Sequence, residues 1–197
     1  MSGKIAVFFD RDGTLNVEAG YIKVLENLVL AADASEAVRT LNQNNILAIL
    51  VTNQTGPARN YYTESHVLAL NKRLCDLLEE ENAYLDKVYY CPHLASGIVT
   101  EYSFDCNCRK PRPGMILKAL EDFPDIEIDK SYVIGDKATD IELAYNVNCK
   151  GILLTTGYGQ QVIDGTYQEL NCKPHYITNN VYDAVQWILK DINKTNY

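Results

Sequence analysis

Phe8-Phe9-Asp10-Arg11-Asp12-Gly13-Thr14-Leu15-Asn16 ends the apolar run Ile5-Ala6-Val7-Phe8-Phe9, a short stretch of strand formers that stops abruptly at charge. A run of that kind predicts a strand buried on both faces of a parallel sheet. In an open α/β sheet ligands gather beyond the carboxyl ends of the strands, so Asp10 and Asp12, two positions apart around a turn, can face one small cleft. Gly13 keeps the turn tight. Two neighbouring acids in different environments suit a reaction in which one carboxylate attacks a phosphorus atom and the other moves the leaving group's proton. Taken alone, the stretch reads equally well as a surface turn with two solvated aspartates.

Outward from that stretch, strand and helix signals alternate. Ala34, Ala37, Val38 and Leu41 recur at helical spacing between Asp33 and Asn44, with Asp33 or Ser35 placed to cap. Ile46 to Val51 reads as a second buried strand ending at Thr52-Asn53-Gln54-Thr55-Gly56. Thr63 to Glu81 reads as a long helix with a stripe of Val67, Leu70, Leu74, Leu77 and Leu78. Leu85 to Tyr90 is a third strand, and a proline-initiated helix runs from Met115 to Phe123. Ser131 to Asp140 contains a strand that ends in two carboxylates, Asp136 and Asp140. Gly151 to Thr156 and His175 to Thr178 are further strands, and Val181 to Ile192 is a closing helix. The alternation predicts an α/β domain with a mostly parallel sheet. His66, Cys75 and His175 have no spaced partners and read as packing or surface residues. Without repeats, low-complexity tracts or a linker, residues 1–197 are expected to form a single domain.

At 197 residues and 47% hydrophobic content the chain can bury a substantial core. Its 18 basic and 26 acidic residues give a net charge of −8, which argues against a general nucleic-acid or membrane-surface binder. Positive charge at a phosphate site must then be local. No signal-like start and no apolar run of membrane-spanning length are present, so a cytoplasmic location is expected. There the six cysteines stay reduced, and closely spaced ones read first as metal ligands.

Cys91-Pro92-His93 and Cys106-Asn107-Cys108 supply three thiolates and one imidazole, a set suited to a closed tetrahedral zinc site. The alternatives are buried free cysteines or a strained Cys106–Cys108 link. With four ligands from the chain no position is left for a catalytic water, so such a zinc would shape loop 91–108 and aim the following Arg109 and Lys110. Asp136 and Asp140 are hard oxygen ligands of the kind that suit Mg²⁺.

These stretches also occur in a telling order: D-R-D-G-T-L-N with G-Y-I shortly after, T-N-Q-T-G-x-A-R from Thr52, C-x-C-R-K-P-x-P-G-M from Cys106 and G-D-K-x-x-D from Gly135. The set resembles the four motifs of the haloacid dehalogenase superfamily of aspartate-nucleophile phosphatases. The resemblance implies a three-layer α/β/α Rossmann-like fold with a zinc-binding loop insertion. Neither usual insertion point is long enough for a cap domain. It further implies that Asp10 is the nucleophile and that Asp12 acts first as general acid, then as base. Thr52, the backbone amide of Asn53 and Lys110 would hold the phosphoryl oxygens. Mg²⁺ would sit on the Asp10 carboxylate, the Asp12 backbone carbonyl and Asp136, with Asp140 outside that shell. Substrate contacts are expected from Arg11 and from Glu18, Gly20 and Tyr21 over the cleft mouth. Gln54, Thr55, Arg109 and Lys137 complete that set, Lys137 holding either substrate or Asp10, and Arg59 has a structural or a substrate-side role.

Within the superfamily the resemblance is closest to the D-glycero-D-manno-heptose 1,7-bisphosphate phosphatases of nucleotide-activated heptose and lipopolysaccharide synthesis. Their sister family, the histidinol-phosphate phosphatases, shares the catalytic and zinc pattern. The long loop between C-P-H and C-x-C and the P-G-M continuation favour the heptose family. Tyr132 to Ile141 is as similar to the sister, and Pro57 stands where the heptose enzymes often have an aliphatic residue. A reading of a different class, a zinc-loop binding protein without catalysis, is opposed by the full set of catalytic residue types. The expected partner is a phosphorylated small molecule, and a monomer is expected.

Overall fold

The computed structural model describes residues 3–195. Six strands, β1 (Ala6–Phe9), β2 (Leu47–Asn53), β3 (Lys87–Cys91), β4 (Tyr132–Gly135), β5 (Lys150–Leu154) and β6 (Tyr176–Thr178), form one sheet in the order β3-β2-β1-β4-β5-β6. Every neighbouring pair is parallel, so the sheet is parallel throughout and not merely for the most part. The helices are α1 (Ala34–Gln43), α2 (Glu64–Glu80), α3 (Gly114–Asp122), α4 (Ala138–Asn146), α5 (Gly159–Ile163) and α6 (Val181–Thr195).

The strand pattern explains the layers. β1 is buried at all four positions, Val7 and Phe9 packing with α1, α2 and α6 on one face while Ala6 and Phe8 pack with α3 and α4 on the other. β2 alternates likewise, with Ala48 and Leu50 on the first face and Leu47, Ile49 and Val51 on the second. Burying a side chain such as Phe8 contributes roughly 1.5–3 kcal/mol, which explains why these strands tolerate no polar residue before their last positions.

The chain enters at the middle of the sheet and winds outward to both edges, so the connections diverge between β1 and β4. In such sheets that switch point opens a crevice at the carboxyl ends, and Asp10 and Asp136 immediately follow those two strands there. β2 runs to Asn53, which puts Thr52 and Asn53 inside the last turn of the ladder instead of beyond it. Register pairs Asn53 with Cys91, so the cysteine loop starts beside the polar end of β2.

Asp33 precedes α1 without capping it. Its carboxylate accepts from the Tyr182 N–H at 2.8 Å and ties the start of α1 to α6. Helix α5 was not expected from sequence, since five residues are too few to display a helical period. His175 proves structural, its Nδ1 meeting the Gly151 N–H at 3.1 Å at the start of β5. Among the described residues, no helix is long and apolar enough to cross a membrane.

Candidate active site

Asp10 lies 4% exposed at the end of β1, and its surroundings are built to keep it charged. Oδ1 accepts from the Arg11 N–H at 2.7 Å and meets Lys110 Nζ at 2.9 Å, while Oδ2 faces Lys137 Nζ at 3.7 Å. Burial alone would raise its pKa. The charges of Lys110 and Lys137, with the hydrogen bonds from Lys110 and the Arg11 backbone, outweigh burial and hold it well below the usual carboxylate range. The group is thus an ionised, desolvated carboxylate at the cleft floor.

Lys110 is itself buried between two acids, Asp10 and Asp140, the latter at 2.6 Å. Burial works against its charge, but both carboxylates win and raise its pKa. Its backbone is clamped by the Asn53 side chain, which accepts from the Lys110 N–H at 3.0 Å and donates to its carbonyl at 3.2 Å. Asn53 therefore positions Lys110 through its amide side chain, a role sequence reasoning did not give it.

Asp136 is fully buried behind Asp10. Its Oδ2 accepts from the Tyr158 N–H at 2.8 Å, but Oδ1 makes no hydrogen bond and has Lys137 Nζ at 3.4 Å. Burial, supplemented by the charges of Asp10 and Asp140 and opposed by Lys137, pushes its pKa up to about 7. Gly13 (φ 81°) and Gly157 (φ 52°) lie against each other and against Oδ2 of this carboxylate, and a Cβ at either would run into it. Oxygens of Asp10, Asp136 and Asp140 lie within 4.8 Å of one another. Asp140 is the least free of the three, since Oδ1 is paired with Lys110 and Oδ2 accepts from the Lys137 N–H at 3.1 Å. A small hard cation fits between Asp10 and Asp136, where an orphaned buried carboxylate oxygen and converging negative charge call for one. Asp140 is occupied holding Lys110.

Asp12 is surrounded by donors. Arg11 Nη2 reaches both its oxygens at 3.1 and 3.0 Å, Arg11 Nε reaches Oδ1 at 3.2 Å, Asn16 Nδ2 reaches Oδ1 at 3.1 Å and Gln54 Nε2 reaches Oδ2 at 2.8 Å. Arg11, expected to touch substrate, instead points inward: it is 1% exposed, and its Nη1 donates to Asn71 Oδ1 on α2 at 3.0 Å. Asp12 at the cleft and Asn71 in the interior supply the acceptors that compensate a guanidinium at that depth. Thr52 is also withdrawn, fully buried beneath Gln54, whose Nε2 donates to its hydroxyl at 3.0 Å.

The remaining expected contacts line one cleft of about 230 Å³ with Asp10 and Asp12. Glu18, held up in pKa by burial against the pull of Lys137, accepts from the Gly20 N–H at 2.6 Å and has Lys137 at 3.7 Å. Tyr21 and Thr55 meet across the mouth at 3.2 Å through their hydroxyls. Arg109 enters from the cysteine loop, its Nη1 donating to the His93 carbonyl at 3.3 Å. Lys137 is shared among Asp10, Glu18 and Asp136, so its first role is to hold these acids; burial opposes its charge, and their combined field raises its pKa. The cleft also takes in Arg59, Tyr62, Tyr158, Tyr167 and Gln168, none of which carries a local sequence signal except Arg59 in the T-N-Q-T-G-x-A-R run.

Cys91, His93, Cys106 and Cys108 converge as the spacing implied. Their donor atoms all lie within 4.8 Å of one another, with Cys91–Cys106 at 3.5 Å, Cys91–His93 at 3.7 Å, His93–Cys108 at 3.2 Å, Cys106–Cys108 at 3.3 Å and Cys91–Cys108 at 3.0 Å. Zinc–sulfur and zinc–nitrogen bonds arranged as a tetrahedron give edges of about 3.8 Å between sulfurs and about 3.5 Å between sulfur and nitrogen, so the four atoms are gathered as a zinc site requires, with the sulfurs drawn in somewhat closer than around an ion. All six cysteines are free, which removes the disulfide alternative. A larger concavity of about 490 Å³ lies between β3, α3 and this loop, but it includes none of Asp10, Lys110 and Asp136, so the chemistry belongs to the smaller cleft.

A D-glycero-D-manno-heptose-1,7-bisphosphate 7-phosphatase of Thermosynechococcus vestitus is 46% identical over 187 residues, covering 93% of this chain and 94% of that one. This chain belongs to the haloacid dehalogenase-like phosphatases. Residues 107–184 match the HAD-hydrolase-like family model. The D-glycero-beta-D-manno-heptose-1,7-bisphosphate 7-phosphatase of Escherichia coli K12 is 36% identical over 189 residues, 95% of this chain and 89% of that one. The fold matches D,D-heptose 1,7-bisphosphate phosphatase from B. bronchiseptica with a TM-score of 0.82 at 22% identity, over 95% of this chain and 99% of that chain. As a haloacid dehalogenase-like phosphatase the chain is a phosphoric monoester hydrolase.

Proposed function

We propose that this phosphatase removes the phosphate on carbon seven of D-glycero-D-manno-heptose 1,7-bisphosphate during nucleotide-activated heptose synthesis. The observation that carries the reading is an ionised Asp10 held between two ammonium groups beside Asp136, in a chain whose relatives at 36–46% identity bear that name. Histidinol phosphate is the less favoured substrate, because those relatives span nearly the whole chain. Side-by-side kcat/KM on heptose 1,7-bisphosphate and histidinol phosphate tests it. A preference of at least about 100-fold for the heptose is expected from discrimination in a hydrogen-bonding site, and a preference for histidinol phosphate overturns the proposal.

In this mechanism an Asp10 oxygen attacks phosphorus in line, the bond to the carbon-seven oxygen breaks, and Asp12 gives that oxygen its proton. Asp12 then takes a proton from the water that cleaves the aspartyl-phosphate, which frees Asp10 and inorganic phosphate. Both oxygens of Asp12 accept hydrogen bonds from Arg11, Asn16 and Gln54, so proton transfer requires one of these donors to let go. Lys110 stays beside the reacting oxygens, held from behind by Asn53 and Asp140. Mg²⁺ held by the Asp10 carboxylate, the Asp12 carbonyl and Asp136 would supply charge neutralisation between the anionic nucleophile and the anionic phosphate.

The Asp136 titration gives this assignment a test. In the metal-free protein its folded pKa of about 7 lies above an unfolded value of about 3.9, so the folded state binds the extra proton. Its contribution to stability is therefore lost as pH rises from about 4 to 7, and Mg²⁺, which needs the carboxylate, competes with that proton. At a fixed Mg²⁺ concentration the gain in Tm is expected to be several degrees at pH 8 and near zero at pH 5. An equal gain at both would exclude Asp136 as a ligand.

The four-residue cluster supports a structural Zn²⁺ that fixes loop 91–108 and so the direction of Arg109. Gly114 packs its α-carbon against Asn107, so the loop also sets the start of α3. Cys108→Ser is expected to lose zinc and lower kcat/KM by about 10- to 100-fold, as loss of support around a site does. Metal analysis and activity check it together; full activity without zinc would remove the metal from the proposal.

A further inference from the structure

Charged side chains, Asp10, Asp12, Lys110 and Lys137 among them, line the cleft around the reacting carboxylates, and the sector contributed by the chain after β5 is neutral and largely aromatic. Tyr158 and Tyr167 stack with ring centroids 4.3 Å apart and planes 17° from parallel, and Lys137 Nζ lies 5.2 Å from the centre of the Tyr158 ring. Both rings line the cleft that holds Asp10. Beside them Gln168 lines the same cleft, and its side-chain oxygen is buried with no hydrogen-bond partner. A buried acceptor left unmade is costly, and such an atom at a ligand cleft is accounted for by a ligand that donates to it. A phosphate oxygen cannot be that donor at the operating pH. A hydroxyl can, and because it both donates and accepts, it satisfies either end of the amide.

We propose that Tyr158, Tyr167 and Gln168 form the sugar-recognition wall of this phosphatase, Gln168 accepting a hydrogen bond from a hydroxyl of the substrate carbon chain while the Tyr158–Tyr167 stack packs against its C–H face. The class recognised is a polyhydroxylated phosphate ester, and the wall selects it over esters of equal charge without hydroxyls. This inference rests on the sugar-phosphate reading of the same cleft. It assigns the polar alternation of a carbohydrate to one segment, the aromatic pair for the apolar ring face and the amide for the hydroxyl edge. Tyr167 is 43% exposed and stands on a loop, so changing it leaves the core untouched.

The test compares heptose 1,7-bisphosphate with heptane-1,7-diol bisphosphate, which has the same two phosphates and no ring hydroxyls. For Gln168→Leu, kcat/KM on the sugar is expected to fall about 10-fold through the loss of one hydrogen bond to a buried group, with less than a twofold change on the diol. Tyr167→Ala should lower kcat/KM on both esters, since both present C–H groups to the stack, and Tyr167→Phe should retain wild-type activity and selectivity because the ring is what packs. Equal losses on both esters or no loss on the sugar in Gln168→Leu, or no loss on either ester in Tyr167→Ala, would overturn the wall. Failure of the underlying reading has a different signature: the wild-type enzyme itself would then prefer histidinol phosphate or show no preference for sugar over diol.

Discussion

Asp10→Asn is expected to lower kcat by about 10⁴-fold or more on every phosphate ester while the protein still folds. The substitution keeps the shape of the side chain and removes the charge that Lys110 and Lys137 both stabilise. The amide oxygen can still accept from the Arg11 N–H, and Lys110 keeps its second partner, Asp140, at 2.6 Å. The stability change should therefore stay within about 1–3 kcal/mol, the range for a weakened buried hydrogen bond. Acid-quenched single turnover with labelled substrate checks the mechanism: label on the wild-type chain at Asp10, none on the variant. If Asp10→Asn keeps more than about one hundredth of wild-type kcat, water attacks phosphorus directly and the covalent step is wrong.

How much of this site could be read without a structure depends on how local each cause is. A strand buried on both faces must be apolar until it leaves the core, so the switch from Phe9 to Asp10 and from Gly135 to Asp136 marks both the strand end and the cleft floor. The convergence of Cys91, His93, Cys106 and Cys108 was legible from their spacing, since reduced thiols and an imidazole so close in sequence are gathered by short loops. Arg11 was misread because its neighbours in sequence are both cleft acids, and only the packing of α2 reveals that Asn71 draws the guanidinium inward. Asn53 was read through its backbone, but a parallel register fixed by β3 aims its side chain at Lys110. Tyr158, Tyr167 and Gln168 were invisible, since nothing in a loop of mixed polarity says that it folds back over β1. Thr156 makes that fold-back, its hydroxyl donating to the Gly13 carbonyl at 2.7 Å.

Replacing Lys110 by methionine separates what holds the site together from what makes it react. Lys110 is the shared cation of two buried carboxylates, and removing one partner of such a group leaves uncompensated charge, typically at a cost of about 3–5 kcal/mol. Activity is expected to fall about 10³-fold, since the ammonium also faces the oxygens that gain charge in the transition state. The stability loss has a defined pH window. Lys110 has a folded pKa above its unfolded value of about 10.4, so its contribution is complete below that pH and fades as pH rises through the folded value. Asp10 has a depressed folded pKa, so its share is present above about pH 3.9 and fades as pH falls through the folded value. In the variant the orphaned Asp140, whose pKa burial already raises against the pull of Lys110, takes up a proton as pH falls, so denaturant melts of wild type and Lys110→Met should differ most at about pH 7 to 9 and converge toward lower and higher pH. Adding Asp140→Leu should recover much of the lost stability, because the orphaned acid is gone, and none of the lost activity. Recovery of activity in the double variant would mean that Lys110 acts by balancing Asp140 alone and takes no part in holding the phosphoryl group.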